Sequence, residues 1–192
     1  MRSAYVDTVG GRDDPAAAAR WSLASHGRTR VDLHTFNALP LPEAERTLLT
    51  CCSAPRWARA VATGRPYAST TALHTAAAAA LDDADLDAAL AGHPRIGDRQ
   101  AGGQSRREQS GVGDAAADVL AALDEGNRAY EERFGHVYLV CATGRSAEDL
   151  LATLRARLSH DPATERAVAL TELAAINRIR LDRLLAPAEA VR

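Results

Sequence analysis

The feature that most constrains the fold of this chain is the spacing of its apolar residues, which recur every three or four positions over most of its length. This spacing collects apolar side chains on one face of an α-helix, and such a face must be buried against another element. Proline and glycine residues interrupt the pattern repeatedly, so the helices are separate and their connections are short. The pattern predicts an all-α fold, a single compact domain of about seven to nine helices.

The helix boundaries are predicted from these interruptions and from residues that cap helix ends. Asp114 and Ser146 are typical N-cap residues, and Gly135 suits the position after a helix. Residues 97–104 are glycine-rich and predict a loop, whereas the short apolar run 137–142 predicts an extended segment. The predicted helices comprise residues 32–40, 42–52, 54–63, 69–81, 83–90, 114–134, 146–158 and 161–185.

The chain divides into three parts by composition. Residues 1–31 mix Gly, Asp, Ala and Arg without a sustained period, which predicts a disordered leader. Residues 32–186 form the predicted helical domain, and residues 187–192 form a short tail.

Charge and hydropathy exclude several classes of partner. The formal net charge is −2, so we expect no large basic surface for nucleic acid or an anionic membrane. No apolar run approaches the ~20 residues that span a bilayer, and the N-terminus lacks the hydrophobic core of a secretory signal. We therefore expect a cytoplasmic protein without nucleic-acid or membrane partners.

The absence of lysine narrows the chemistry, since all 23 basic residues are arginine. A lysine Schiff base, pyridoxal-phosphate chemistry and a P-loop are excluded. The three cysteines form no disulfide framework and are predicted to be buried thiols, and the histidines show no metal-binding spacing. We expect neither a metal nor a cofactor.

One histidine stands out by its sequence context. His93 begins the run His-Pro-Arg-Ile-Gly-Asp, directly after a predicted helix. Pro94 biases it toward an extended conformation and Gly92 suits a helix end, so the imidazole is placed at a helix exit. Because imidazole titrates near neutrality, His93 is a candidate general acid or base. The residues alone leave open that it is a capping or surface histidine.

Two charged residues are further candidates. Glu108 follows Ser105 at the spacing of a capping box, so it is either a helix cap or a functional carboxylate. Arg180 falls on the apolar face of the last helix, where it either extends to the surface or pairs with a carboxylate, which a substrate could supply. Asn127 and Gln109 either line a pocket or are satisfied amides.

Several separated motifs, taken together and in order, resemble one known enzyme family. The resemblance extends over about residues 33–186, and its motifs are FNALP (36–40), RWARAVATGRPY (56–67), HPRIG (93–97), SRREQSG (105–111), NRAYEERFGHVYLVCATG (127–144) and INRIRLDRL (176–184). The family is that of the 2-oxo-4-hydroxy-4-carboxy-5-ureidoimidazoline (OHCU) decarboxylases, which form (S)-allantoin in urate breakdown.

The resemblance implies an all-helical, cofactor-free and usually dimeric enzyme that acts on a small ureide. It implies catalytic roles for His93, Glu108 and Arg180, although Arg178 and Arg183 lie close to Arg180 in the sequence. The substrate contacts that it implies come from Pro94, Ser105, Arg106, Arg107, Gln109, Tyr138, Leu139, Val140, Cys141 and Ala142.

The chemistry of this family is compatible with a chain that lacks lysine. In OHCU the carboxylated carbon adjoins a ring C=N, so the substrate itself accepts the electron pair that decarboxylation leaves. Our hypothesis is that His93 acts as general acid/base beside Glu108, while Arg180 binds the carboxylate or a ring oxygen. Gln109 and the backbone amides of residues 138–142 would hold the ureido and ring groups. Two alternatives are a different His/Glu enzyme for a related ureide and a non-catalytic helical interaction module.

Overall fold

The computed structural model describes residues 31–98, 103–112 and 115–186. The predicted leader, except Val31, and the 187–192 tail lie outside the described residues. The described residues contain nine α-helices and no strand, which confirms the all-α prediction. The helices are α1 (Leu33–Ala38), α2 (Leu41–Leu49), α3 (Pro55–Thr63), α4 (Thr70–Ala80), α5 (Asp83–Leu90), α6 (Gly103–Glu108), α7 (Ala117–Phe134), α8 (Ala147–Arg157) and α9 (Pro162–Leu185), with a 3₁₀ turn at Ser110–Val112.

Most helix ends lie where local chemistry predicts them. The Ser146 hydroxyl accepts a hydrogen bond from the Asp149 amide at 3.2 Å, and the Asp161 carboxylate caps α9 in the same way. Gly135 ends α7 with φ = 75°, a left-handed conformation that favours glycine. None of the helices among the described residues has the length and apolar character needed to cross a membrane.

Two local predictions are wrong. α7 begins at Ala117 and not at position 114, because the Ala115 amide still donates to the Val112 carbonyl at 3.2 Å as the chain leaves the 3₁₀ turn. Asp114 itself lies outside the described residues. The predicted 97–104 loop ends early, since α6 already includes residues 103 and 104.

The larger of two hydrophobic cores is built by α1–α5 together with α9. Trp57 is fully buried at its centre, and the indole nitrogen donates to the Ala77 carbonyl at 2.8 Å. Phe36, Leu73 and Leu173 are also fully buried in this cluster. The hydrogen bond offsets the cost of removing the indole N–H from water, so Trp57 fixes α3 against α4.

The second core lies between α7 and α8. Its buried residues include Leu123, Tyr130, Leu150 and Leu154. Gly126 faces this contact, and a Cβ there would lie 2.7 Å from Leu154 Cδ2, closer than side chains pack. Glycine at this position therefore permits the close approach of α7 and α8.

An extended segment, residues 137–142, runs between the two cores. Leu139 packs into the first core, whereas Tyr138, Val140 and Ala142 pack into the second. This alternation is the period-two geometry of extended backbone. The predicted extended segment thus joins the two cores, without a strand partner among the described residues.

Candidate active site

His93 lies three residues beyond the end of α5, where the chain leaves the first core. Its Nδ1 is 2.8 Å from the carbonyl oxygen of Ala89. Because a carbonyl only accepts, Nδ1 carries the proton, and in the neutral ring Nε2 holds the lone pair. Nε2 is buried and has no hydrogen-bond partner within the described part of the chain. The ring is therefore a single tautomer whose basic nitrogen is unsatisfied.

Burial sets the protonation state of this ring. Desolvation lowers the pKa of His93 below its ordinary value of 6.5, and the positive charge of Arg180 acts in the same direction. The bond to Ala89 and the charge of Glu108 oppose this shift of the pKa. His93 is thus neutral, and a base, at neutral pH.

The backbone after His93 is held at three successive residues. Gln109 accepts from the Gly97 amide at 2.9 Å and donates to the Arg95 carbonyl at 3.2 Å. Asn127, buried in α7, donates to the Ile96 carbonyl at 2.9 Å. Gly97 has φ = 87°, which a residue with a Cβ rarely adopts. Both amides singled out in the sequence therefore hold the loop that carries His93.

A buried ion-pair cluster surrounds Glu108 at the end of α6. Arg180 Nε and Nη2 donate to the two Glu108 carboxylate oxygens at 2.9 and 2.8 Å, a bidentate pair. Arg180 Nη1 also donates to the Cys51 carbonyl at 2.8 Å. A second arginine, Arg183, donates from Nη1 to Glu108 Oε1 at 3.2 Å. Two guanidinium groups thus hold one carboxylate that is 7% exposed.

This geometry decides between the two interpretations of Glu108. α6 begins at Gly103, so Ser105 lies inside the helix and is not its N-cap. Glu108 is the last residue of that helix, and its carboxylate oxygens are taken by arginines. The capping-box alternative is wrong because a helix capped by Ser105 would begin at residue 106, whereas α6 begins three residues earlier.

Nine of the predicted site residues line one cleft between the two cores. They come from three parts of the chain: His93, Pro94, Ser105, Glu108, Gln109, Tyr138, Leu139, Val140 and Ala142. The sequence did not single out four others as cleft residues: Ile96, Thr143, Ile176 and Ile179. Thr143 directly follows a predicted run, and Ile179 lies one turn from Ile176 on the inner face of α9. Helical spacing could therefore have identified both isoleucines, since Ile176 precedes Arg180 by four positions and Ile179 follows Ile176 by three.

The other predicted site residues lie outside this lining. Arg106 and Arg107 are exposed on α6. Arg180 lies behind Glu108, and Cys141 is turned away, its amide donating to Glu172 Oε2 at 2.8 Å. The described residues contain no group of three or more side chains suited to hold a metal ion.

The 137–142 segment is fixed against the cleft by buried charged groups. Arg157 Nη1 donates to the Leu139 carbonyl at 2.8 Å, and Arg157 is itself paired with buried Glu165, which also accepts from the Tyr130 hydroxyl. The carbonyl and the N–H of a trans peptide unit point in opposite directions. The Val140 amide, which has no acceptor among the described residues, therefore points away from Arg157 and is available as a donor.

Comparison with known proteins identifies the family to which this arrangement belongs. The family model of OHCU decarboxylase matches residues 37–182. The 2-oxo-4-hydroxy-4-carboxy-5-ureidoimidazoline decarboxylase of Amia calva is 29% identical over 166 residues, covering 81% of this chain and 95% of that protein. The uric acid degradation bifunctional protein TTL of Arabidopsis thaliana is 28% identical over 145 residues, covering 70% of this chain. The chain spans only 45% of the length of that bifunctional protein.

Solved structures show the same fold. A crystal structure of OHCU decarboxylase in the presence of (S)-allantoin matches with a TM-score of 0.64 and 24% identity, covering 71% of this chain and 95% of that one. A crystal structure of (S)-allantoin synthase matches with a TM-score of 0.64 and 20% identity, covering 83% of this chain and 56% of that one. Because the family model covers most of the sequence, the chain belongs to the OHCU decarboxylase family.

Proposed function

We propose that this protein decarboxylates OHCU to (S)-allantoin in urate degradation, with the substrate itself as the electron sink. The observation that carries the proposal is the unsatisfied Nε2 of His93 in a cleft that Glu108 also lines. Membership of the family, and the Amia calva relative named for this reaction, support the choice of substrate.

The ring C=N of the substrate accepts the electron pair that bond cleavage leaves, so the protein need not supply an electron sink. As the carbon–carboxylate bond breaks, its electron pair forms a double bond to the ureido-bearing carbon. The former C=N pair moves to nitrogen, which takes a proton, and carbon dioxide leaves. The enol that results must lose its hydroxyl proton and gain a proton at the ureido-bearing carbon. The protein must therefore supply orientation and proton transfer.

His93 is the group suited to that proton transfer. Its Nε2 lone pair accepts the hydroxyl proton and returns a proton to the ureido-bearing carbon. Because the ring is fixed by Ala89 at Nδ1, the proton arrives on one face of that carbon. Delivery from a fixed direction gives a single enantiomer of allantoin.

Glu108 and Arg180 support His93 electrostatically. The negative charge of Glu108 stabilises the imidazolium ion that forms while His93 holds the proton. Arg180 holds this carboxylate in place by the bidentate pair. Because Nε and Nη2 of Arg180 both donate to Glu108, we assign Arg180 a positioning role. This role replaces the direct substrate contact expected from the sequence.

The cleft wall supplies the remaining contacts. The Val140 amide has no acceptor in the described part of the chain and can donate to a carbonyl oxygen of the ureido group or the ring, while Ser105 offers a hydroxyl nearby. Gln109 contributes by holding the His93 loop. Substrate contacts by Arg106, Arg107 and Cys141 stay predictions of the family resemblance, as do a homodimer and a cytoplasmic location.

The test generates the unstable substrate in the cuvette from urate with urate oxidase and hydroxyisourate hydrolase. Circular dichroism then follows the appearance of (S)-allantoin over the slow racemic background. We expect the purified protein to accelerate the signal and to give one enantiomer. A rate equal to the background would contradict the proposed function. Acceleration with a different ureide alone would favour the related His/Glu enzyme.

A further inference from the structure

The arginines around Glu108 outnumber the negative charges there. Glu108 carries one negative charge, and Arg180 alone neutralises it through two hydrogen bonds. Arg183 adds a second positive charge through a single contact of 3.2 Å to Glu108 Oε1. Within the described part of the chain, no other carboxylate lies within 4.0 Å of Arg183. The cluster therefore retains one uncompensated positive charge.

Arg183 lies on the same face of α9 as the residues that line the cleft. Ile176 and Ile179 contribute to the lining, and Arg183 follows them by seven and four positions, which extends this face by one turn. Its side chain is 34% exposed, whereas those of Arg180 and Glu108 are each 9% exposed. The uncompensated charge is thus located near the edge of the cleft and is accessible to a ligand.

The unused donors of Arg183 match a carboxylate. Nη1 contacts Glu108, while Nε and Nη2 have no acceptor among the described residues. These two groups form the edge of the guanidinium that binds a carboxylate bidentately. Arg180 cannot offer that edge, because Glu108 already occupies it.

We propose that Arg183 binds the carboxylate of the substrate and so selects the carboxylated ureide over its decarboxylated product. This assignment rests on the proposed function, in which the substrate carries one carboxylate and (S)-allantoin carries none. Arg180 then holds Glu108, and Arg183 recruits the anion. Loss of carbon dioxide removes the charge that Arg183 binds, which favours release of the product.

The test compares Arg183→Gln with Arg178→Gln, an exposed arginine on the same helix. In the coupled circular dichroism assay we expect Arg183→Gln to raise KM about 10-fold, the loss typical of one charge-assisted contact, with a smaller change in kcat. Inhibition by added (S)-allantoin should be unchanged, because the product has no carboxylate. Arg183→Lys should have a KM between those of Arg183→Gln and wild type, because it keeps the positive charge. Arg178→Gln should behave as wild type.

Two results would overturn the assignment. One is an Arg183→Gln KM equal to that of wild type. The other is an equal loss of affinity for substrate and for (S)-allantoin, which would mean that Arg183 only supports Glu108. The dependence of kcat/KM on salt should also weaken in Arg183→Gln, since one screened attraction is lost. Failure of the wild-type protein to form (S)-allantoin would instead contradict the proposed function itself.

Discussion

At the scale of single residues, one backbone carbonyl decides what His93 can do. The Ala89 carbonyl holds the proton on Nδ1, so Nε2 is the ring nitrogen that can take up a proton. A side chain without a titratable nitrogen, such as asparagine, therefore tests the role of Nε2. We expect His93→Asn to lower kcat about 100-fold or more, the usual contribution of general acid/base catalysis. The coupled dichroism assay measures this, with His34→Asn, at an exposed histidine, as the matched control. A near-wild-type rate in His93→Asn would remove His93 from the mechanism.

The buried state of His93 also makes stability depend on pH. Its pKa is lowered in the folded protein, so between 6.5 and the folded value the unfolded chain binds more protons. Stability contributed by the neutral ring is therefore full above pH 6.5 and falls as the pH decreases through this window. We expect the free energy of unfolding in urea to fall less between pH 7 and pH 5 in His93→Asn than in wild type. Equal slopes in the two proteins would contradict burial of a neutral ring.

Short-range features explain which site residues the sequence revealed. His93 and Pro94 were found because a proline and a helix end are local signals, and Arg180 because a charge on an apolar face stands out. Arg183 was noted only as a neighbour of Arg180, and Thr143 was not found, because their roles depend on contacts between segments far apart in the chain. The capping-box alternative for Glu108 failed because α6 begins before Ser105, and the arginines that hold the carboxylate come from α9, far away in the sequence.

At the scale of elements, helix positions followed from spacing and caps, whereas the orientation of the 137–142 segment did not. The apolar residues of this segment predict its burial, but they do not predict which of its peptide groups are hydrogen-bonded by other parts of the chain. The holding groups are Arg157 and Glu172, and each lies more than ten residues away from its partner in the sequence. Neither residue carried a local signal of that function.

Glu172 offers a direct test of this arrangement. Glu172→Gln keeps a carbonyl oxygen that can accept from the Cys141 amide, whereas Glu172→Leu removes the acceptor. We expect Glu172→Leu to lower the free energy of unfolding by about 1–3 kcal/mol and to raise KM, because the Cys141 amide loses its partner and the cleft wall shifts. Glu172→Gln should stay near wild type in both urea unfolding and kinetics. Identical effects of the two variants would show that the acceptor does not hold the segment.

At the scale of the whole molecule, the cleft lies where the two cores meet. The 137–142 segment places alternate side chains in each core. α9 also links them, because Glu165 near its start pairs with Arg157 of α8, while Leu173 is buried in the first core. Neither core is complete without these shared elements. Folding of the site therefore requires both cores.

This linkage predicts one cooperative unfolding transition. Leu154→Ala in the second core and Leu173→Ala in the first should each lower the free energy of unfolding by about 2–5 kcal/mol, because both side chains are fully buried. Urea unfolding can be followed by far-ultraviolet dichroism and by the fluorescence of Trp57, in a Trp21→Phe background. Trp57 reports on the first core, so Leu154→Ala should shift its transition as far as the dichroism transition. If Trp57 kept its wild-type midpoint in Leu154→Ala, the cores would unfold separately, and α9 would not couple the two sides of the cleft.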